Sequence, residues 1–244
     1  MRRIGVLAGA VVALAGPSLA TAATVVVPQR DYPTPEAAIR QVAKGLATDD
    51  ADASIQAFAI DRAAAGFDFD RYVNRLQAID PLALSPSSSP LYRELNRMTL
   101  LGRAASQLKI TAYSLLTRQA VDSSPIIVRS PGEAAAFRAS VDPRKLAGLR
   151  VVRIAPVPSR LAGDARYRRT LRESAAVYGA AEATERAVLY GVNGKTYFGG
   201  ATLLRYGRGW HVQTLSSAIY GTPSSGRVEP MTPAEFRAKV SGTG

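Results

Sequence analysis

Residues 185–219, ERAVLYGVNGKTYFGGATLLRYGRGWHVQTLSSAI, form three runs of strand-forming residues separated by glycine-bearing turns. No other stretch constrains the chain as strongly, because three such runs in succession dictate an antiparallel meander. Asn193-Gly194 is the residue pair that most readily supplies the two positive φ angles of a type I′ hairpin. Gly207-Arg208-Gly209 predicts a three-residue loop with Gly209 in the left-handed position. With these turns, Tyr190 faces Tyr197 and Tyr206 faces Trp210, two aromatic cross-strand pairs that stabilise a sheet.

The other end of the chain carries a different instruction. Arg2 and Arg3 precede the apolar run Ile4 to Ala15, then Pro17 and the small-residue triplet Ala20-Thr21-Ala22. A charged start, a short apolar core and an A-x-A site make residues 1–22 a secretory signal, cleaved near Ala22. The expected product is periplasmic or secreted. No later run approaches the roughly 20 apolar residues that a spanning helix needs. There is no cysteine, so neither a disulfide nor a lipid-modified thiol is available, and the core alone must hold the fold. Residues 23–244 are long enough for one domain with one sizeable core.

Helix signals fill the space between the two ends. Thr34-Pro35-Glu36 opens a helix whose inward face is Ile39, Val42, Ala43 and Leu46. Asp49, Asp50 and Asp52 introduce a second, carrying Ile55, Phe58 and Ala59, and Asp68 a third, with Phe69, Tyr72, Val73 and Leu76 inward. The linker Pro81 to Pro90 leads into a long helix, about 91–118, with a stripe of Leu91, Leu95, Met98, Leu101, Ala105, Leu108, Ala112 and Leu115. That stripe is expected to pack on the sheet. Ser130-Pro131-Gly132-Glu133 and Thr232-Pro233-Ala234-Glu235 are capping boxes. Leu149 to Val157 predicts a strand, and residues 164–178 a helix. The fold class is therefore α+β: a curved antiparallel sheet, mainly within 149–220, packed against several helices.

The opening Thr34-Pro35-Glu36-Ala37-Ala38-Ile39 with the acidic turn Asp49-Asp50-Ala51-Asp52-Ala53 resembles the start of the NTF2-like, or SnoaL-like, superfamily. The closing segments Tyr197-Phe198-Gly199-Gly200-Ala201 and Gly207-Arg208-Gly209-Trp210-His211-Val212 are similar to that superfamily's last strands. The resemblance implies a strongly curved sheet preceded by a helix, here with a helical elaboration between. It does not imply one activity, because such folds host isomerases, dehydratases, scaffolds and ligand binders.

Candidate chemistry is sparse. His211 is the sole histidine, so a two-histidine metal site is excluded and any imidazole acid/base step must pass through it. A carboxylate would have to orient it, with Asp68 or Asp70 the first candidates. As neighbours on a strand, Trp210 and His211 point to opposite faces, either of which could be the concave one. Tyr190, Tyr197, Phe198 and Tyr206 are candidate pocket residues, although alternating aromatic positions on strands are more often core. No glycine cluster opens a helix as a phosphate loop does, no serine sits in a nucleophile elbow, and no cofactor or metal is expected.

Charge supplies the last clue. The chain has 31 Lys and Arg against 19 Asp and Glu, a net charge of +12. Arg150, Arg153, Arg160, Arg166, Arg168, Arg169 and Arg172 concentrate it, either as a solvated surface or as an anion-binding patch. No nucleic-acid recognition motif accompanies it. The expectation is an exported, non-enzymatic binding or accessory protein of the cell envelope, with a small apolar ligand or an envelope protein as partner and homodimerisation through the sheet or long helix. The alternatives are a small-molecule enzyme of the NTF2-like type using His211 and an adaptor that binds an anionic surface through the arginines.

Overall fold

The computed structural model describes residues 29–117, 121 and 124–241. The expected signal segment and the extended run at Val25 to Val27 lie outside them. The sheet runs in the order β1 (Arg150–Pro156), β2 (Glu182–Val192), β3 (Lys195–Tyr206), β4 (Gly209–Thr214), with every pair antiparallel. A short β5 (Glu229–Pro230) pairs with β3 at Tyr197 and Phe198. The sheet is open, and bulges at Val151/Arg153 and Thr202/Leu203 bend it.

The first hairpin follows from its turn. Asn193 and Gly194 both have positive φ, 50° and 73°, and Tyr190 pairs with Tyr197. The second hairpin is one residue tighter than its sequence implies. Gly207, at φ 57°, and Arg208 form a two-residue turn, so Tyr206 pairs with Gly209, Arg205 with Trp210 and Leu204 with His211. The expected Tyr206–Trp210 pair is therefore replaced: the Arg205 guanidinium lies 5.9 Å from the Trp210 ring centre. Gly209 is needed for another reason. A Cβ there would sit 2.4 Å from Asp31 Oδ1.

The sheet buries both faces. Val188, Tyr190, Ala201, Leu203 and Val212 pack on one side against α1 (Pro35–Ala47) and the C-terminal half of α5 (Pro90–Leu116). On the other side Ala187, Leu189 and Phe198 meet Phe236 of α9 (Pro233–Ser241), while Ala183 and Leu204 meet Ala175 of α8 (Ala165–Val177). Strands buried on both faces read as nearly continuous apolar runs, as β2 and β3 do.

Local signals place most helices. Thr34 caps α1 and Ser130 caps α6 (Pro131–Ser140); Thr232 and Glu235 close a reciprocal cap on α9. Asp50 caps α2 (Ala51–Ile55), but Phe58 lies beyond that helix, at a bridge to Val212 of β4. The chain then forms α3 (Ile60–Gly66), which the sequence pattern does not announce. Expectations about helix faces hold only in part. On α4 (Phe69–Leu76) Phe69 and Tyr72 pack, half-buried, against Phe67, Leu84 and Val177, but Leu76 is exposed, and Leu91, Leu95 and Met98 on α5 are exposed. The buried anchor of that half of α5 is Asn96, which binds the backbone of Ser85 at 2.7 and 2.8 Å and so ties down the linker. No described helix is long and apolar enough to cross a membrane.

The outer edge of β4 is covered by chain from the N-terminal region. Trp210 N donates to Tyr32 O, Val212 N to Ala57 O, and Ala59 N to Val212 O, at 2.7–2.9 Å. A 3-10 turn (Pro143–Leu146) precedes β1, and the single-turn α7 (Ser159–Ala162) lies between β1 and α8.

Candidate functional site

The close approach of residues 57–63 to β4 leaves an opening beside α5. A cleft of about 770 Å³ lies between α3, α5 and the end of β4, within the range of small-ligand sites. Phe58, Ile60, Leu100 and Val212 give it an apolar floor; Arg103, Ser106 and Gln107 of α5 contribute polar groups. Phe58 and Val212 reach it because the bridge between them seats residues 57–59 on the edge of β4. Gln107 is fixed by hydrogen bonds to Thr214 and Leu215, which lock α5 to the strand end.

Tyr178 and Gln213 form a wall shared with a second cleft of about 530 Å³ under α8. Its floor includes Glu185, a buried carboxylate on β2. One oxygen accepts from Tyr167 O–H at 2.8 Å, the other from Ser217 O–H at 2.9 Å. Burial, and after it the nearby Glu185 charge, pushes the Tyr167 phenol well above its ordinary value, so Tyr167 stays a donor. The expected site residues did not include Glu185. Its signal was present, because Ala183, Glu185, Ala187 and Leu189 share one strand face and an acid in that apolar row needs a partner.

His211 is fully buried, and its Nε2 lies 2.9 Å from Asp31 Oδ1. The orienting carboxylate is thus Asp31, brought in by the segment that covers β4. Asp68 instead caps α4 and bonds Arg71, and Asp70 lies in the first turn of that helix. Arg62 completes the group, 2.7 Å from Asp31 and with its guanidinium 5.8 Å from the Tyr206 ring centre. Nδ1 of His211 is buried without a hydrogen-bond partner. None of the clefts described reaches the ring. A general base must touch the proton it removes, and in this structure the ring presents no surface to solvent.

Desolvation, followed by the positive charge of Arg62, holds the His211 pKa below its usual value near 6.5, against the opposing pull of Asp31. The folded state therefore prefers the neutral ring. Stability is complete above about 6.5 and falls as the pH drops below it, by at most about 1.4 kcal/mol per pH unit for one proton. Urea unfolding midpoints at about pH 7.5 and about pH 5 should differ in the wild type and differ less in His211→Gln. Equal slopes in both would place the acid sensitivity elsewhere.

The four candidate pocket aromatics do not converge. Tyr190 and Tyr197 lie in the core beneath α1 and α5, and Phe198 on the opposite face against α9. Tyr206 spans from the Arg62 group to Tyr178, whose carbonyl accepts its hydroxyl proton at 2.9 Å. The seven arginines are all exposed. Arg168, Arg169 and Arg172 fall within about 100° of one another around α8; Arg150 and Arg153 stand on β1, Arg160 on α7, and Arg166 on the rim of the second cleft.

No protein-family model and no curated protein matches the chain. Among solved structures, it is similar to a cystatin-like protein from Ruminococcus gnavus ATCC 29149, at 20% identity and a TM-score of 0.56. The alignment covers 86% of this chain and 44% of that one, so the chain spans less than half the length of its structural neighbour. At this identity the likeness is one of fold: an α+β arrangement with an antiparallel sheet against helices.

Proposed function

We propose that the protein is an exported, non-enzymatic binding module of the cell envelope that holds a small apolar ligand between α5 and the end of β4. The observation that carries this reading is the cleft of about 770 Å³ with Phe58, Ile60, Leu100 and Val212 on its floor. The signal-like residues 1–22 and the lack of cysteine support export. We keep the NTF2-like relationship as part of the proposal, on the strength of the residues quoted for it. The burial of His211 away from that cleft favours the binding reading over the enzyme one.

Native mass spectrometry of the mature protein, purified from an exporting host, tests the reading. The expected result is a bound mass that disappears on denaturation, or that is acquired on incubation with an envelope lipid extract. A bare chain under both conditions would overturn it.

A second reading, an adaptor for an anionic surface, draws on the exposed Arg168, Arg169 and Arg172 on one side of α8, none of which is in an ion pair among the described residues. It would require steeply salt-dependent binding that is lost when these three are neutralised.

A further inference from the structure

Gly102 lies deep inside the 27-residue α5, where glycine is among the least favourable residues. Most interior glycines of this fold have a steric reason. A Cβ at Gly66, Gly200 or Gly209 would come within 2.8 Å of neighbouring atoms, whereas one at Gly102 would meet nothing within 4 Å. The protein's own packing therefore does not ask for it. Gly102 lines the cleft, and there its bare backbone leaves room for something that approaches the helix closely.

The next residue sets the charge. Arg103 is exposed at the cleft wall and has no ion pair or hydrogen bond among the described residues. No carboxylate lines the cleft with it. The neighbouring Thr99 and Ser106 hydroxyls are suited to share a bound anion.

The opening continues along the helix. Seven residues before Thr99 and Gly102, nearly two turns and so on the same side, are Tyr92 and Leu95, which are 43% and 44% exposed. Leu91 and Met98 flank them, also exposed. From Tyr92 to Ser106 this track measures about 21 Å at 1.5 Å per residue. An apolar floor, a long apolar track and one free cation are complementary to an elongated molecule with a negative head.

We infer that the cleft binds an anionic amphiphile, with its carboxylate or phosphate on Arg103 and its apolar chain passing over Gly102 along α5. The inference rests on the cleft being the ligand site proposed above and adds the chemical class of the ligand. Isothermal titration with dodecanoate, dodecyl phosphate and the uncharged dodecyl maltoside, each below its micelle concentration, separates the two claims. The two anions distinguish a carboxylate from a phosphate preference.

At least one anion should bind about tenfold or more tightly than the maltoside, and Arg103→Gln should remove that advantage, since a charge-assisted bond is worth about a factor of ten or more. Gly102→Leu should abolish binding of all three without lowering the thermal midpoint, because leucine favours the helix and meets open space. If the maltoside binds as well as the anions and Arg103→Gln changes nothing, the head-group assignment is wrong while the cleft stands. If binding survives Gly102→Leu unchanged, the cleft itself is wrong. Failure of all three probes to bind overturns the inference.

Discussion

Replacing Phe236 with alanine is expected to cost about 3–5 kcal/mol of unfolding free energy, the usual range for a fully buried phenylalanine. Phe236 is the only buried residue of α9, and it has no exposed surface. Its ring meets Phe198 at 6.1 Å between centroids, and Phe198 in turn meets Tyr220 at 6.5 Å, both edge-to-face. Without the ring, α9 keeps only the partly buried Val240 against that cluster, and Leu189 and Phe198 lose part of their cover. Urea denaturation would read the loss, and hydrogen exchange should show α9 opening first. A change below about 1 kcal/mol would mean that α9 docks through its capping and surface contacts instead.

Glu185→Ala should be nearly as damaging, at about 2–4 kcal/mol, for a different reason. Truncation leaves the Tyr167 and Ser217 hydroxyls without their acceptor in a buried setting, and each orphaned group costs about 1–3 kcal/mol. Glu185→Gln should lose about half as much. Its carbonyl still accepts from Ser217, and the Tyr167 hydroxyl can turn to accept from the new amide. Thermal and urea unfolding of the two variants check the ordering. Equal losses would show that charge, rather than hydrogen bonding, is what Tyr167 and Ser217 require.

Much of this fold was legible because its signals are local. Asn193-Gly194 fixes its hairpin through two backbone angles, and Thr34, Asp50, Ser130 and Thr232 announce helix starts through one side-chain oxygen each. The misreadings arose where distant chain decides the outcome. Gly209 looked like a turn glycine, yet its missing side chain serves Asp31, which is 178 positions earlier in the sequence. Leu91, Leu95 and Met98 have helical spacing, and spacing cannot say whether a neighbour exists to cover them.

The site was less legible than the fold. His211 was visible as a singular residue, but its partner Asp31 comes from a segment whose bridge to β4 leaves no mark in local pattern. The cleft forms where α3, α5 and β4 meet, and α3 itself had no clear start signal: Ala59 precedes it without a side-chain cap. Glu185 was readable in principle, as an acid in an apolar strand row.

The two ends of the sheet also bear on how copies of this protein can meet. An uncovered strand offers a row of N–H and C=O groups on which a foreign strand can add, the first step toward fibres. At β4 those groups are occupied by residues 32 and 57–59. At β1 the row is interrupted by the bulge, carries Arg150 and Arg153, and ends at Pro156, which has no N–H to give. Neither of these borders is a good template for strand addition. A homodimer of this chain that avoided these borders would have to join through side chains rather than backbone.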